Sequence, residues 1–290
     1  MPFASINGVE LYYEEAGAGL PLLLCHEFAG DYRSWEPQVR FFSRRYRVIA
    51  FNARGYPPSG VPEEPGAYTE ERHVEDAAEL IRQLGIAPAH VCGLSMGGNV
   101  TLKLGLKYPD LCRSLVVAGA GYGSEDPDEF RRNASETADM FEREGMETAA
   151  DLYARGPSRL RFAQKDPRGW AEFRDLLRRH STTGSALTMR GVQARRRTIS
   201  EVADELPSLQ VPTLVVNGDE DDLALDAGLL MKRRIPNAGL VVLPNTGHTL
   251  NLEEPALFNT LVAEFFALVE AGRWEGRTDG GMARGMLPDR

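Results

Sequence analysis

The chain has 290 residues, 42% of them hydrophobic and 26% charged, a composition that supports a buried core and excludes a disordered chain. Its 33 basic side chains against 42 acidic ones leave a net charge of −9, which argues against a nucleic-acid partner, since phosphate contacts require a basic surplus. That sum hides a local excess of +8 over residues 158–197.

After the turn signal Asn7-Gly8, residues 9–14 alternate apolar and polar, as in a half-exposed strand. Residues 20–25 form a continuous apolar run and 47–51 another behind its leading Arg47, the pattern of strands buried on both faces. Val74, Ala77, Ala78, Leu80, Ile81 and Leu84 recur at helical spacing over 69–84, behind a capping start at Thr69-Glu70-Glu71-Arg72. A strand over 89–92, a helix over 96–107 and a strand over 111–118 follow. The alternation stops over 122–206, a charged stretch of helical character with no strand-like run. It resumes with a strand over 211–216, a helix over 224–234, a strand over 240–243 and a helix over 255–269. Strands separated by helices mean βαβ units, hence an α/β protein with a mostly parallel sheet. The expected organisation is a core of residues 1–121 and 207–270, a helical insertion over 122–206, and a flexible tail over 271–290, which holds five glycines.

Three cysteines, Cys25, Cys92 and Cys112, cannot build a disulfide framework, and none is spaced as a metal knuckle. The first eight residues lack the basic and apolar regions of a signal peptide, and no apolar run approaches the roughly 18 residues of a membrane span. The expected location is cytoplasmic, with no membrane partner.

Gly93-Leu94-Ser95-Met96-Gly97 fits G-x-S-x-G between a predicted strand and a predicted helix, the setting of a nucleophile elbow. A serine hydroxyl needs a general base held by a carboxylate. Of five histidines, His248 lies in the loop after the strand over 240–243, near the C-terminal edge of the sheet where ligands bind. Acids follow the strand over 211–216 at Asp219, Asp221 and Asp222, so the chain order is Ser, Asp, His. His73, flanked by acids, reads as solvated or locally paired, His90 as structural, and His180 as a helix-end residue.

These motifs resemble those of the serine α/β-hydrolase family along residues 3–270. The resemblance implies an eight-stranded, mostly parallel sheet flanked by helices, with 122–206 as a cap over the active site. Its G-x-x-D pattern selects Asp221, three residues after Gly218, with Asp219 and Asp222 as competitors. His26-Glu27-Phe28-Ala29-Gly30 resembles the H-G-x-x-G segment that supplies an oxyanion-hole donor, which implies the N–H groups of Phe28 and Met96 for that role. Glu27 departs from the usual glycine, and a carboxylate there opposes the charge to be stabilised. It is therefore expected to pair with Arg54 or Arg33, or to face solvent, with a chemical role as the alternative. Asn52-Ala53-Arg54-Gly55-Tyr56-Pro57-Pro58-Ser59 resembles the family's D-x-R-G-x-G-x-S loop, with Asn52 and Pro57 as departures. Modest further similarity points to the branch containing 3-oxoadipate enol-lactonases.

Serine at the nucleophile position argues against the dehalogenases and epoxide hydrolases of this fold, which cleave an ester formed on a carboxylate. No flavin, nicotinamide or metal motif accompanies the serine, so no cofactor and no metal are expected. The expected activity is hydrolysis of carboxylic esters or lactones by Ser95, His248 and Asp221. The alternatives are a C–C bond hydrolase of vinylogous diketones, a cofactor-free perhydrolase or acyltransferase, and a ligand-binding receptor. His26, Glu27, Arg159, Arg190 and Arg195 are the candidate pocket residues, the arginines for an anionic small-molecule substrate or else as a solvated face balanced by acids elsewhere. A homodimer is the one protein assembly entertained.

Overall fold

Asn7 and Gly8, both at positive φ (48° and 79°), turn the chain between strands β1 (Phe3–Ile6) and β2 (Val9–Ala16), which pair antiparallel. The computed structural model describes residues 2–276. β1 had no counterpart in the sequence reading because its four residues alternate too briefly to stand out; Ala4 and Ile6 point into the core and Phe3 and Ser5 out.

The elements that follow are β3 (Leu20–Cys25), α1 (Glu36–Phe42), β4 (Tyr46–Phe51), α2 (Glu70–Gln83), β5 (Ala89–Leu94), α3 (Met96–Lys107) and β6 (Cys112–Ala118). A helical stretch comes next: α4 (Pro127–Ala154), broken at Gly145 with φ 70°, then α5 (Leu160–Lys165), α6 (Pro167–Leu177) and α7 (Thr182–Thr188). The last described elements are β7 (Thr213–Gly218), α8 (Asp222–Arg234), β8 (Ala238–Leu243), α9 (Leu250–Glu253) and α10 (Pro255–Glu270).

The eight strands form one sheet in the order β1-β2-β4-β3-β5-β6-β7-β8, parallel from β4 to β8. β3 pairs with β4 on one side and β5 on the other, so the winding reverses there. The loops leaving the C-terminal ends of β3 and β5 diverge at this point and leave a crevice, the place where open α/β sheets bind ligands.

The continuous apolar runs are explained by two cores. Leu23, Cys25, Ile49, Val91 and Val117 face α2, α3 and α8, while Leu22, Leu24, Val48, Cys92 and Val116 face Trp35, Phe42, Phe258 and Phe266 of the opposite layer. A third apolar cluster joins Phe141, Phe162, Phe173 and Leu177 of the inserted helices to Phe28, Ala53 and Met96 of the sheet-edge loops. The insertion thus rests on the residues that surround Ser95.

Part of the expected flexible tail is tied down. Trp274 stacks edge-on against Phe265, with ring centroids 4.6 Å apart, and its indole N–H donates to the Asn237 carbonyl at 2.9 Å. The remainder of that tail, 277–290, lies outside the described residues.

Candidate active site

Ser95 stands between the last residue of β5 and the first of α3, at φ 56° and ψ −109°. Such a left-handed backbone is uncommon for a non-glycine residue, and the surrounding packing must hold it. Here the serine N–H donates to the Ala118 carbonyl of β6 at 2.8 Å, and the Asn99 side-chain amide donates to the Ser95 carbonyl at 3.1 Å. The flanking glycines let backbones meet. A Cβ on Gly93 would sit 2.1 Å from the Gly97 carbonyl oxygen, and one on Gly97 would sit 2.1 Å from that of Cys25 and 2.7 Å from that of His26. Gly97 therefore brings the first turn of α3 against the loop leaving β3, and residues 26–28 beside residues 95–97.

His248 Nε2 lies 2.9 Å from Ser95 Oγ, and Nδ1 lies 2.8 Å from Oδ2 of Asp221. His248 and Asp221 are buried, whereas Ser95 keeps partial access to solvent. Of the three aspartates after β7, only Asp221 meets the histidine. Asp219 is exposed and accepts the Thr246 N–H at 3.0 Å, bracing the histidine loop, and Asp222 is the exposed first residue of α8. Backbone donors from Thr246 and Asn245 hold the Asp219 carboxyl below its ordinary range.

Two further side chains support this arrangement and gave no sequence signal. The Tyr122 hydroxyl donates to Oδ1 of Asp221 at 2.7 Å, and its ring lies against the His248 ring with centroids 4.5 Å apart. Burial, reinforced by the Asp221 charge, pushes the Tyr122 hydroxyl far above its ordinary pKa, so it is a permanent donor. Glu253 accepts the N–H of Gly247 at 2.8 Å, the N–H of Thr249 at 3.1 Å and the Thr249 hydroxyl at 3.0 Å, clamping both neighbours of His248. No motif marks either residue; an aromatic at the start of the insertion and a glutamate five residues past the histidine are ordinary in sequence.

Phe28 lies in the loop after β3, and Met96 opens α3, where first-turn amides lack an intrahelical acceptor. Their side chains are buried in the third cluster. Glu27 is 1% exposed and pairs with Arg159 of the insertion, itself 1% exposed. This corrects the expected partners: Arg54 is taken by Asp76 at 2.6 Å, and Arg33 by Asp31. Arg159 lies under the rings of Tyr153 and Phe173, 5.7 and 5.1 Å from their centroids. Burial works against its charge, but Glu27, together with Tyr153 and Tyr122, more than offsets this and holds it above its ordinary pKa.

Other expectations are corrected too. Both nitrogens of the candidate pocket residue His26 are engaged: Nε2 accepts the Ala53 N–H at 3.0 Å, and Nδ1 lies 2.7 Å from the Glu27 carbonyl oxygen. Burial lowers its pKa to about 4, so it stays neutral and ties two sheet-edge loops together. His73 is buried rather than solvated, and burial together with the nearby Arg54 lowers it to about 3. His180 lies in the turn between α6 and α7, three residues past the last of α6, and is buried, with Nε2 3.6 Å from Asp31 and its ring against Tyr56. Arg190 does not reach the site; it bridges Asp139 and Glu142 at 2.6 Å. Arg195 is exposed. Much of the basic excess is balanced by acids outside residues 158–197, including Asp151 on Arg174 and Arg178, Glu220 on Arg161 and Glu254 on Lys165.

Among the described residues no group of three or more His, Cys, Asp or Glu side chains could hold a metal ion. A serine on a strained strand-to-helix turn, bonded through a histidine to a buried aspartate at the switch point of this sheet, defines a serine hydrolase. The chain belongs to the α/β hydrolase fold family, whose model matches residues 21–255. It is similar to the enol-lactonase of Burkholderia xenovorans, with a TM-score of 0.80 and 27% identity over 92% of this chain and 100% of that one. A thermophilic esterase from Thermogutta terrifontis superposes with a TM-score of 0.79 and 30% identity, covering 90% and 94% of the two chains. A 2-hydroxy-6-oxononadienedioate/2-hydroxy-6-oxononatrienedioate hydrolase of a Pseudomonas species is 27% identical over 277 residues, 90% of this chain and 93% of the relative.

Proposed function

We propose that the protein hydrolyses carboxylic esters or lactones of small molecules through an acyl-serine intermediate. The observation that carries this reading is the line from Ser95 Oγ to His248 Nε2 to Asp221 Oδ2, with spacings of 2.9 and 2.8 Å. His248 takes the Ser95 proton as Oγ adds to the substrate carbonyl carbon, while Asp221 stabilises the imidazolium. The N–H groups of Phe28 and Met96 receive the oxyanion. The proton on Nε2 then passes to the leaving alkoxide, the C–O bond breaks, and an ester to Ser95 remains. Water, deprotonated by the same nitrogen, cleaves that ester and restores the serine. Labelling by a fluorophosphonate at Ser95, lost in Ser95→Ala, followed by turnover of a p-nitrophenyl ester, is the expected result. An unlabelled wild type with no esterase activity would sink the reading.

Similarity to a hydrolase named for dienedioate substrates favours a second reading, in which the same three residues cleave a C–C bond of a vinylogous diketone. Turnover of a dienoate diketone well above that of simple esters would select it.

In this reading residues 122–206 are the cap, and residues 1–121 and 207–270 the catalytic core; the apolar cluster that joins Phe141 and Phe173 to Phe28 and Met96 supports it. A cytoplasmic location is supported by three free, buried thiols at Cys25, Cys92 and Cys112. Neither nucleic acid nor membrane is needed as a partner. An anionic substrate draws no support from Arg190, whose charge is spent on Asp139 and Glu142.

A further inference from the structure

We infer that Arg159 is a positioning residue for catalysis, whose task is to neutralise Glu27 so that the adjoining Phe28 N–H can stabilise an oxyanion. The inference rests on the serine-hydrolase reading above and adds a residue to it. Three observations lead there. Glu27 immediately precedes Phe28 in the loop leaving β3, at a position where the family's segment has glycine, so a carboxylate has been placed beside a donor meant for negative charge. That carboxylate is 1% exposed, so water cannot screen it. Its one cationic partner among the described residues is Arg159, also 1% exposed, reaching in from the insertion between α4 and α5.

The pair is not tied off as a purely structural bridge would be. Among the described residues, Glu27 Oε1 and Arg159 Nε and Nη1 are buried without hydrogen-bond partners. A buried ion pair with unused valences is a poor source of stability, since desolvation offsets most of its Coulomb gain. What it does supply is charge balance at one place. The Arg159 charge also acts on the Tyr122 hydroxyl, opposing its upward shift, so it is felt on the side of the site where Asp221 lies. Arg159 is seated within the insertion by Tyr153 and Phe173, and Tyr153 in turn packs on Phe28 of the core with ring centroids 5.7 Å apart, so the oxyanion donor is freed of the adverse charge only when that segment is in place.

This assignment makes the two halves of one ion pair unequal. Removing the cation leaves a bare carboxylate next to Phe28, whereas removing the carboxylate leaves the donor untouched. Arg159→Met is expected to lower kcat for p-nitrophenyl butyrate by about 100-fold or more, with KM within about threefold. Glu27→Gln, which breaks the same pair, is expected to keep kcat within about threefold of wild type, and the double variant to recover to within about tenfold. Melting temperatures of all four proteins separate this from folding, because a merely structural pair would lower stability and activity in parallel whichever partner is removed. Equal losses of kcat in the two single variants, or a double variant as slow as Arg159→Met, would overturn the proposal. So would an effect confined to KM, which would make Arg159 a substrate anchor. Fluorophosphonate labelling of the same set distinguishes the two levels: a wild type unlabelled at Ser95 overturns the hydrolase reading and this proposal with it, whereas a labelled wild type with symmetric variants overturns this proposal alone.

Discussion

The hydroxyl of Tyr122 donates to Oδ1 of Asp221 at 2.7 Å, while Oδ2 of the same carboxylate faces His248. Asp221 is buried, so each of its oxygens needs a donor, and a hydrogen bond to a charged group contributes about 1.5–3 kcal/mol. Tyr122→Phe keeps the ring against His248 but leaves Oδ1 without its donor and free to turn. We expect kcat to fall by about tenfold and stability by about 1–2 kcal/mol. Steady-state kinetics and chemical denaturation of this one variant check both, and unchanged kcat would remove Tyr122 from the supporting set.

Glu253 does for the histidine what Tyr122 does for the aspartate. Its two oxygens accept from Gly247 N–H, Thr249 N–H and the Thr249 hydroxyl, one residue to either side of His248. Glu253→Ala leaves two buried amides unpaired, at about 1–3 kcal/mol each, and frees the loop that sets the Nε2 to Oγ spacing. Glu253→Gln is expected to be little better, because its amide nitrogen would face a donor. Fluorophosphonate labelling of Ser95 should slow by about tenfold or more in both. Glutamine behaving as wild type would mean that the clamp needs only one acceptor.

How legible this site was differs residue by residue, for physical reasons. Ser95 was legible because an elbow demands small neighbours: Gly93 and Gly97 are fixed by contacts near 2.1 Å that no side chain could tolerate. The βα alternation was legible because strands buried on both faces must be apolar throughout, as 20–25 and 48–51 are. By contrast, the choice among Asp219, Asp221 and Asp222 depends on how the turn after β7 aims each carboxylate, which composition does not record. Pairings across the insertion were opaque for the same reason. Glu27 could have met any nearby arginine, and Arg159 is 132 positions away. His73 was misread because acids flank it along the chain, while its own side of α2 faces the core.

The aim of those carboxylates yields a discriminating pair of variants. Asp221→Asn keeps the shape but can no longer stabilise the imidazolium, and a loss in kcat of about 10⁴-fold is expected for an orienting carboxylate. Asp219→Asn alters an exposed side chain whose work is to accept the Thr246 N–H, so kcat should stay within about threefold of wild type. Comparable losses in the two would mean that the loop, and not the charge on Asp221, is the sensitive element.

Acid sensitivity follows from the histidines that the fold keeps neutral. Burial lowers His26 to about 4, burial with the Arg54 charge lowers His73 to about 3, and burial with the Arg113 charge lowers His90 to about 3, all from an ordinary value of 6.5. A histidine depressed in the folded state binds fewer protons there than in the unfolded chain, so its stabilising contribution is complete above pH 6.5. It is lost as pH falls through the window down to about 4 for His26 and about 3 for His73 and His90. Each group can remove up to about 1.4 kcal/mol per pH unit within its window. The melting temperature should therefore drop steadily from pH 6.5 to 5, a range in which ordinary carboxylates remain mostly ionised and contribute little. His73→Leu removes one of these three groups together with its Nε2, which among the described residues is buried without a hydrogen-bond partner, and should flatten the slope without lowering stability at pH 7. Calorimetry of both proteins across that range decides the matter: parallel slopes would show that the proton taken up on unfolding lands elsewhere.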